Sequence, residues 1–357
     1  MNDVRRRAQI RGTGLIGGSV GMALRANGWF VTGDDADASA ASAALDRGAV
    51  DAVGVDPTAE ICFIALPVGA IAAAARALLD VAPWVVTDVG SVKSPIVAAV
   101  DHPRFIGGHP MAGSEQEGIA GSNASMFEGA VWVLTPSERT APEAQALVHS
   151  VVSGFGADVV TMSADVHDRV VAMVSHVPHL TAATLMGRAA ARSEQTGQGP
   201  LLRLAAGGFR DMTRIASGHP GIWPDICAEN RTAIVEVLDD LISDLSDVRS
   251  VVATGDRDGL LRRLEAARQA RKNLPTTVPR PDELVELRVG VPDRPGVLAA
   301  VTTLATEHDV NIYDIEIAHS AEGPRGVLIL LVDSGTVETF VESLVAEGYA
   351  VASRPLA

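Results

Sequence analysis

The stretch GGHPMAGSEQEG, residues 107–118, sets a histidine among glycine, proline and serine. A neutral imidazole has an ordinary pKa of about 6.5 and takes up a proton near neutral pH, so His109 is a candidate general base. The composition around it predicts a loop that presents the ring; a loop histidine that only caps or solvates is the alternative. Upstream, TDVGSVKSP places Ser91 directly after an apolar strand at 84–88. His109 follows the next strand, so both should lie at the carboxyl edge of a sheet, where open α/β folds hold ligands. The Ser91 hydroxyl can orient the imidazole or share its proton. It can equally cap the helix that starts in SVKSPIVAAV.

Two further groups carry chemistry. SHVPH gives His176 and His179, three apart and near one helix face, with Pro178 expected to kink that helix. A metal pair would need third and fourth ligands that the sequence does not offer. AAGGFRDMTRIASGHPGIWPDICAEN packs a Gly-Gly turn, Arg210, Asp211 and Arg214 together. Arg214 can grip a carboxylate with two N–H bonds, or pair with Asp211 on a helix face.

The first apolar strand runs into GTGLIGGS, with Gly12, Gly14 and Gly17, and a helical run follows. Such glycines permit a tight turn, a close backbone approach to a pyrophosphate and tight helix packing, and the helix start supplies free N–H groups. The second strand ends in GDDAD, so Asp35 stands where an acid bonds the ribose hydroxyl of NAD and repels the extra phosphate of NADP. Leu15 and Ile16 of the loop, and Leu66 and Pro67 after the strand ICFIALP, complete the expected cofactor contacts, with NADP as the alternative cofactor.

These groups need a frame. Strand-length apolar runs alternate with alanine-rich helical runs up to residue 162, which predicts an α/β unit with a parallel sheet covered on both faces. Helical periodicity dominates 163–273. LPTTVPRPDE, within 274–283, reads as a linker. Residues 284–357 read as βαββαβ, the ferredoxin-like order. At 357 residues the chain suits two or three domains. A net charge of −15 argues against nucleic acid or an anionic membrane as partner. Cys62 and Cys227 are too few for a disulfide framework and read as reduced. The basic N-terminus lacks the apolar core of a signal peptide, and the longest uncharged run is short for a span, so a cytoplasmic location is expected.

Taken in order, GTGLIGGS, DVGSVK, GGHPMAGSE, MFEGAVWVLTP, SHVPH and GFRDMTRIASGHPGIWPDI resemble the prephenate/arogenate dehydrogenase family over about 10–273. VPDRPGVLAAVTTLATEHDVNIYDIEI is similar to an ACT domain, an amino-acid-sensing module. The resemblance implies a Rossmann domain, an all-α domain that forms a homodimer, and a regulatory tail to which L-tyrosine is a possible effector. It implies oxidative decarboxylation of prephenate with NAD; arogenate as substrate, or a non-catalytic amino-acid sensor, are the alternatives. By the same resemblance His109 is the catalytic histidine and Ser91 the serine bonding both it and the substrate hydroxyl. Ser114, His179, His176, Gly207 and Trp223 contact substrate, the tryptophan from a loop that can belong to the partner subunit, and Arg214 holds the substrate carboxylate. Arg210 stands where a lysine is common.

Overall fold

The computed structural model describes residues 5–113, 116, 118–195, 204–272, 284–292, 294–319 and 325–355. Ser114 and the expected linker at 274–283 therefore lie outside the described residues. The chain forms two compact units, residues 1–190 with 212–246, and residues 191–211 with 247–357.

The first unit is built on strands β1 (Arg7–Arg11), β2 (Phe30–Asp34), β3 (Ala52–Val53), β4 (Ile61–Ile64), β5 (Val85–Asp88), β6 (Phe105–Pro110), β7 (Val131–Thr135) and β8 (Asp158–Thr161). They form one sheet in the order β3-β2-β1-β4-β5-β6-β7-β8. Helices α1 (Leu15–Ala26), α2 (Ala38–Asp46), α3 (Val68–Val81), α4 (Ser94–Ala99) and α5 (Pro142–Ser153) connect the strands. The sheet is parallel from β3 through β6, as expected, with one antiparallel pairing toward its far edge. β7 runs antiparallel to β6, and β8 is parallel to β7. The chain returns from β6 to β7 through 3-10 turns at Ile119–Gly121 and Ala124–Phe127, with no α-helical crossover among the described residues, which antiparallel pairing permits.

Burial explains the central strand. All four residues of β4 are buried. Alternation sends Ile61 and Phe63 into a core with Ile10, Trp132 and Phe155, and Cys62 and Ile64 into a core with Ile71, Trp84 and Ile96. Each such side chain removed from water contributes about 1.5–3 kcal/mol.

The helical segment begins with α6 (Ala164–Val171), a π turn at Ala172–His176 and α7 (Val177–Gln195). The helical run 164–193 is long and apolar enough to cross a membrane by length and composition alone. Here its Ala172 and Val177 instead join the second core, with Ile226 of α9 (Trp223–Glu229) and Ile234 of α10 (Arg231–Thr254). A π turn lies just before Pro178, where a kink is expected. Proline lacks the N–H that an α-helical bond would use, and a widened turn re-pairs the backbone. Between α7 and α9 lies α8 (Gly207–Thr213); α11 (Arg257–Lys272) follows α10.

The C-terminal elements are β9 (Leu284–Pro292), α12 (Val297–Glu307), β10 (Ile312–His319), β11 (Arg325–Asp333), α13 (Val337–Ala346) and β12 (Ala350–Pro355). Their antiparallel sheet has the order β10-β11-β9-β12, the expected split βαββαβ arrangement. Its own core joins Leu287, Val301, Leu330 and Phe340.

Candidate active site

β1 ends at Arg11, and the chain turns at Gly12 with φ +92°, a conformation that favours glycine. A Cβ at Gly12 would also fall 2.3 Å from the Ala65 carbonyl oxygen, and one at Gly17 would fall 1.9 Å from the Gly12 oxygen. A Cβ at Gly14, by contrast, would meet nothing within 4 Å. The loop is therefore closed toward the protein and open at the start of α1, where Gly14 makes no side-chain cap and the first turn holds no acid. That is the cradle a pyrophosphate needs. Leu15 and Ile16 open α1. Leu66 reaches the Gly12 turn, its Cδ2 lying 3.1 Å from where a Gly12 Cβ would be. Pro67 caps the start of α3 beside it. Asp35, half-buried after β2, accepts from the Thr13 backbone N–H at 2.7 Å, which fixes its carboxylate beside the loop. These residues fit a dinucleotide.

The histidine run differs from its sequence reading. Gly107, Gly108, His109 and Pro110 are not loop but the end of β6, with His109 opposite Val133 of β7. The two glycines serve packing. A Cβ at Gly107 would fall 2.4 Å from Thr135 Oγ1, and one at Gly108 would fall 2.6 Å from the Asp88 carbonyl oxygen. Beneath them lies a fully buried ion pair. Lys93 Nζ bonds Asp88, and it donates to the Gly108 carbonyl at 2.8 Å. Asp88 also accepts from the backbone N–H of Gly90 at 2.8 Å and of Gly108 at 3.2 Å. The carboxylate thus joins the 88–93 turn to the strand that carries His109.

Ser91 is half-buried in that turn and does not cap α4. The cap comes from α6. Asp168 accepts from the N–H groups of Lys93 and Ser94, both at 2.8 Å. Nor does the His109 ring pair with Ser91: its Nδ1 stands 2.8 Å from Nε2 of His167. His167 in turn places Nδ1 2.8 Å from Asp168 Oδ1. The sequence reading missed both groups. Their one signal was an adjacent His–Asp pair in SADVHDRV, a dipeptide common on any helix surface; here both residues are buried. Burial holds the His109 pKa well below its ordinary value, and His167, Lys93 and His176 add to this. His109 is therefore neutral at pH 7 and able to accept a proton. In Asp168 burial opposes ionisation, but the bonds from His167, Lys93 and Ser94 outweigh it and lower the pKa.

His176 and His179 take different places. His176 is buried, its pKa pushed down to about 4 by burial, and Asn230 Nδ2 donates to its Nδ1 at 3.2 Å. His179 stacks on Trp223 with ring centroids 3.7 Å apart and planes 14° apart. Trp223 thus packs on a histidine of its own chain. The stacked pair lines a cleft of about 440 Å³ with Leu15, Gly113, Gln116, Ile215, Gly218 and His219 among its other walls. Its size suits a small molecule, and it joins the cofactor-loop residue Leu15 to His179 and Trp223. Arg214, exposed, opens the 3-10 turn Arg214–Ser217 whose Ile215 lines that cleft. Gly207 begins α8 and Arg210 donates to the Ala205 carbonyl at 3.1 Å; both belong to the second unit.

Comparison with known proteins finds three family matches along the chain. Residues 20–161 match the family model for the prephenate dehydrogenase nucleotide-binding domain, 163–266 its dimerization domain, and 285–346 the ACT domain. A prephenate dehydrogenase of Bacillus subtilis (strain 168) is 34% identical over 349 residues, covering 92% of each chain. The crystal structure of prephenate dehydrogenase from A. aeolicus with hydroxyphenyl propionate and NAD+ has a TM-score of 0.71 at 29% identity, covering 77% of this chain and 100% of that one. Synechocystis arogenate dehydrogenase has a TM-score of 0.66 at 30% identity, covering 75% of this chain and 100% of that one.

Proposed function

The chain belongs to the prephenate dehydrogenase family, and from that premise we propose that His109 is the base of an NAD-dependent oxidative decarboxylation of prephenate. The reaction removes the carbinol hydride and hydroxyl proton, and the ring carboxylate leaves as carbon dioxide while the ring aromatises to 4-hydroxyphenylpyruvate. Bound NAD supplies the hydride acceptor. The Gly12–Gly17 loop and the start of α1 hold its phosphates, and Asp35 holds the ribose.

The neutral state of His109 carries the reading. A ring kept unprotonated at pH 7, at the carboxyl edge of the sheet, can take the hydroxyl proton as charge develops on that oxygen. Such general-base help is typically worth about 10²–10⁴ in rate. Ser91, in the adjacent turn, orients the substrate hydroxyl toward it. Arg214 holds a substrate carboxylate, and the His179–Trp223 stack forms a flat wall against the ring. Ser114 and Gly207 complete the substrate contacts. His176, buried behind Trp223, supports that wall through its edge-on contact, with centroids 6.2 Å apart. The domain division we propose is 1–162, 163–273, a linker at 274–283 and 284–357, in a cytoplasmic homodimer.

Arogenate, with an amino group in place of the keto oxygen, is the second reading, favoured by the likeness to the Synechocystis enzyme. Absorbance at 340 nm, with each cofactor against each substrate, separates the two. Fastest NADH formation from prephenate supports the first reading, and a rise from arogenate alone overturns it. L-tyrosine is the effector we assign to the ACT domain. It should inhibit the full chain more strongly than a chain ending near residue 275; equal inhibition of both would move the effect to the active site.

A further inference from the structure

We propose that His167 and Asp168 form a proton relay behind His109, fixing which ring nitrogen accepts the substrate proton and sharing the charge once it arrives. The inference rests on the assignment of His109 as the base, and its geometry is independent of any ligand. Asp168 is ionised and has only acceptor oxygens, so its 2.8 Å contact requires the proton on His167 Nδ1. The relay takes His167 as neutral at rest, with its lone pair at Nε2. The 2.8 Å contact with His109 therefore requires the proton on His109 Nδ1. By elimination His109 Nε2 is the lone pair, and it alone faces away from the relay.

The protons balance. Nε2 of His109 takes the substrate hydroxyl proton, its Nδ1 proton passes to Nε2 of His167, and the positive charge comes to rest beside the Asp168 carboxylate. No oxidation state changes in this step. Asp168 is itself fixed by the backbone N–H groups of Lys93 and Ser94. Asn230, which donates to the Asp168 carbonyl at 2.9 Å, ties the relay to α9 and α10. Among the described residues, the ionisable groups around His109 and His167 are Asp88 of β5, Lys93 of the turn before α4, Asp168 of α6 and His176 of the π turn. Lys93 is already paired with Asp88, so among the described residues Asp168 is the carboxylate placed to answer an imidazolium. His167 and Asp168 are positioning residues, since both act through His109.

Nitrogen-15 spectra of histidine-labelled full-length protein test the relay directly, with the His109 signal identified by its loss in H109N. The expected free-enzyme signal has Nδ1 protonated and Nε2 bare near pH 7. A proton found on Nε2 instead overturns the proposal, whatever the substrate proves to be. Kinetics give the second readout. H167F removes both ring nitrogens while filling the space, and should lower kcat about 100-fold with KM within about threefold. H167Q restores an acceptor near Nε2 but cannot take the proton, and should recover about tenfold of that loss. H167F with wild-type kcat, or H167Q no better than H167F when both fold by circular dichroism, would contradict the relay. Inactive wild-type protein with the expected spectrum would instead count against the substrate assignment.

Discussion

Replacing Lys93 by methionine should destabilise the first unit strongly. Lys93 and Asp88 have no exposed side-chain surface. Methionine keeps most of the length and fills the space, so the packing loss is small. The electrostatic loss is not. Asp88 keeps the N–H groups of Gly90 and Gly108, but its charge loses its one ionic partner. The Gly108 carbonyl loses its Nζ donor as well. Stranding one half of a buried pair costs about 3–5 kcal/mol, a large part of a domain stability of about 5–15 kcal/mol. The double variant D88N/K93M removes the stranded charge and should recover most of the loss, because an uncharged buried pair pays far less desolvation. Urea unfolding followed by tryptophan fluorescence measures this cleanly. All four tryptophans, Trp29, Trp84, Trp132 and Trp223, lie in the first unit, and Trp84 and Trp132 are at most 1% exposed. K93M within 1 kcal/mol of wild type, on the scale where about 1.4 kcal/mol is tenfold in an equilibrium constant, would refute the reasoning. So would a double variant no more stable than K93M.

Three further outcomes are expected. R214Q should raise KM for prephenate about 10–150-fold with a much smaller change in kcat, the loss of a charged hydrogen bond of about 1.5–3 kcal/mol; steady-state kinetics showing a kcat loss at unchanged KM would contradict it. D35S should shift the ratio of kcat/KM for NADP over NAD upward by about tenfold or more, since removing one charge repulsion near a protein surface is worth about 1–4 kcal/mol; an unchanged ratio would remove Asp35 from the ribose site. Stability should fall as pH drops from about 6.5 to about 4: His176, neutral in the fold with its pKa at about 4, leaves the unfolded chain binding the extra proton across that window. The effect is at most about 3 kcal/mol, is complete below the folded value, and should flatten in H176N when urea midpoints are compared at pH 7 and pH 4.5.

The cofactor loop was legible because its constraint is local. Gly12 needs its positive φ and Gly17 its missing Cβ whatever the rest of the chain does, and Asp35 follows at fixed distance along the sequence. The βαββαβ tail was legible from alternation and turn residues alone. The surroundings of His109 were not, because they assemble from four separate places: Asp88 of β5, Lys93 of the following turn, Asp168 of α6 and Asn230 before α10. Glycine at 107 and 108 read as a loop, since the same residue serves a turn or a close strand contact, and only the positions of Thr135 and Asp88 decide which. Nothing in the run TDVGSVKSP marks Lys93 as a buried residue. The Ser91 capping role failed for a related reason: the cap of α4 comes from a residue 74 positions later.

The most direct test of the account is NADH formation from prephenate by wild-type protein and by H109N, followed at 340 nm under saturating substrate and cofactor. A steady rise with wild type and a rate at least about 100-fold lower with folded H109N is the predicted result. No rise with wild type would contradict the assigned reaction, and an undiminished rate in H109N would contradict the assigned base.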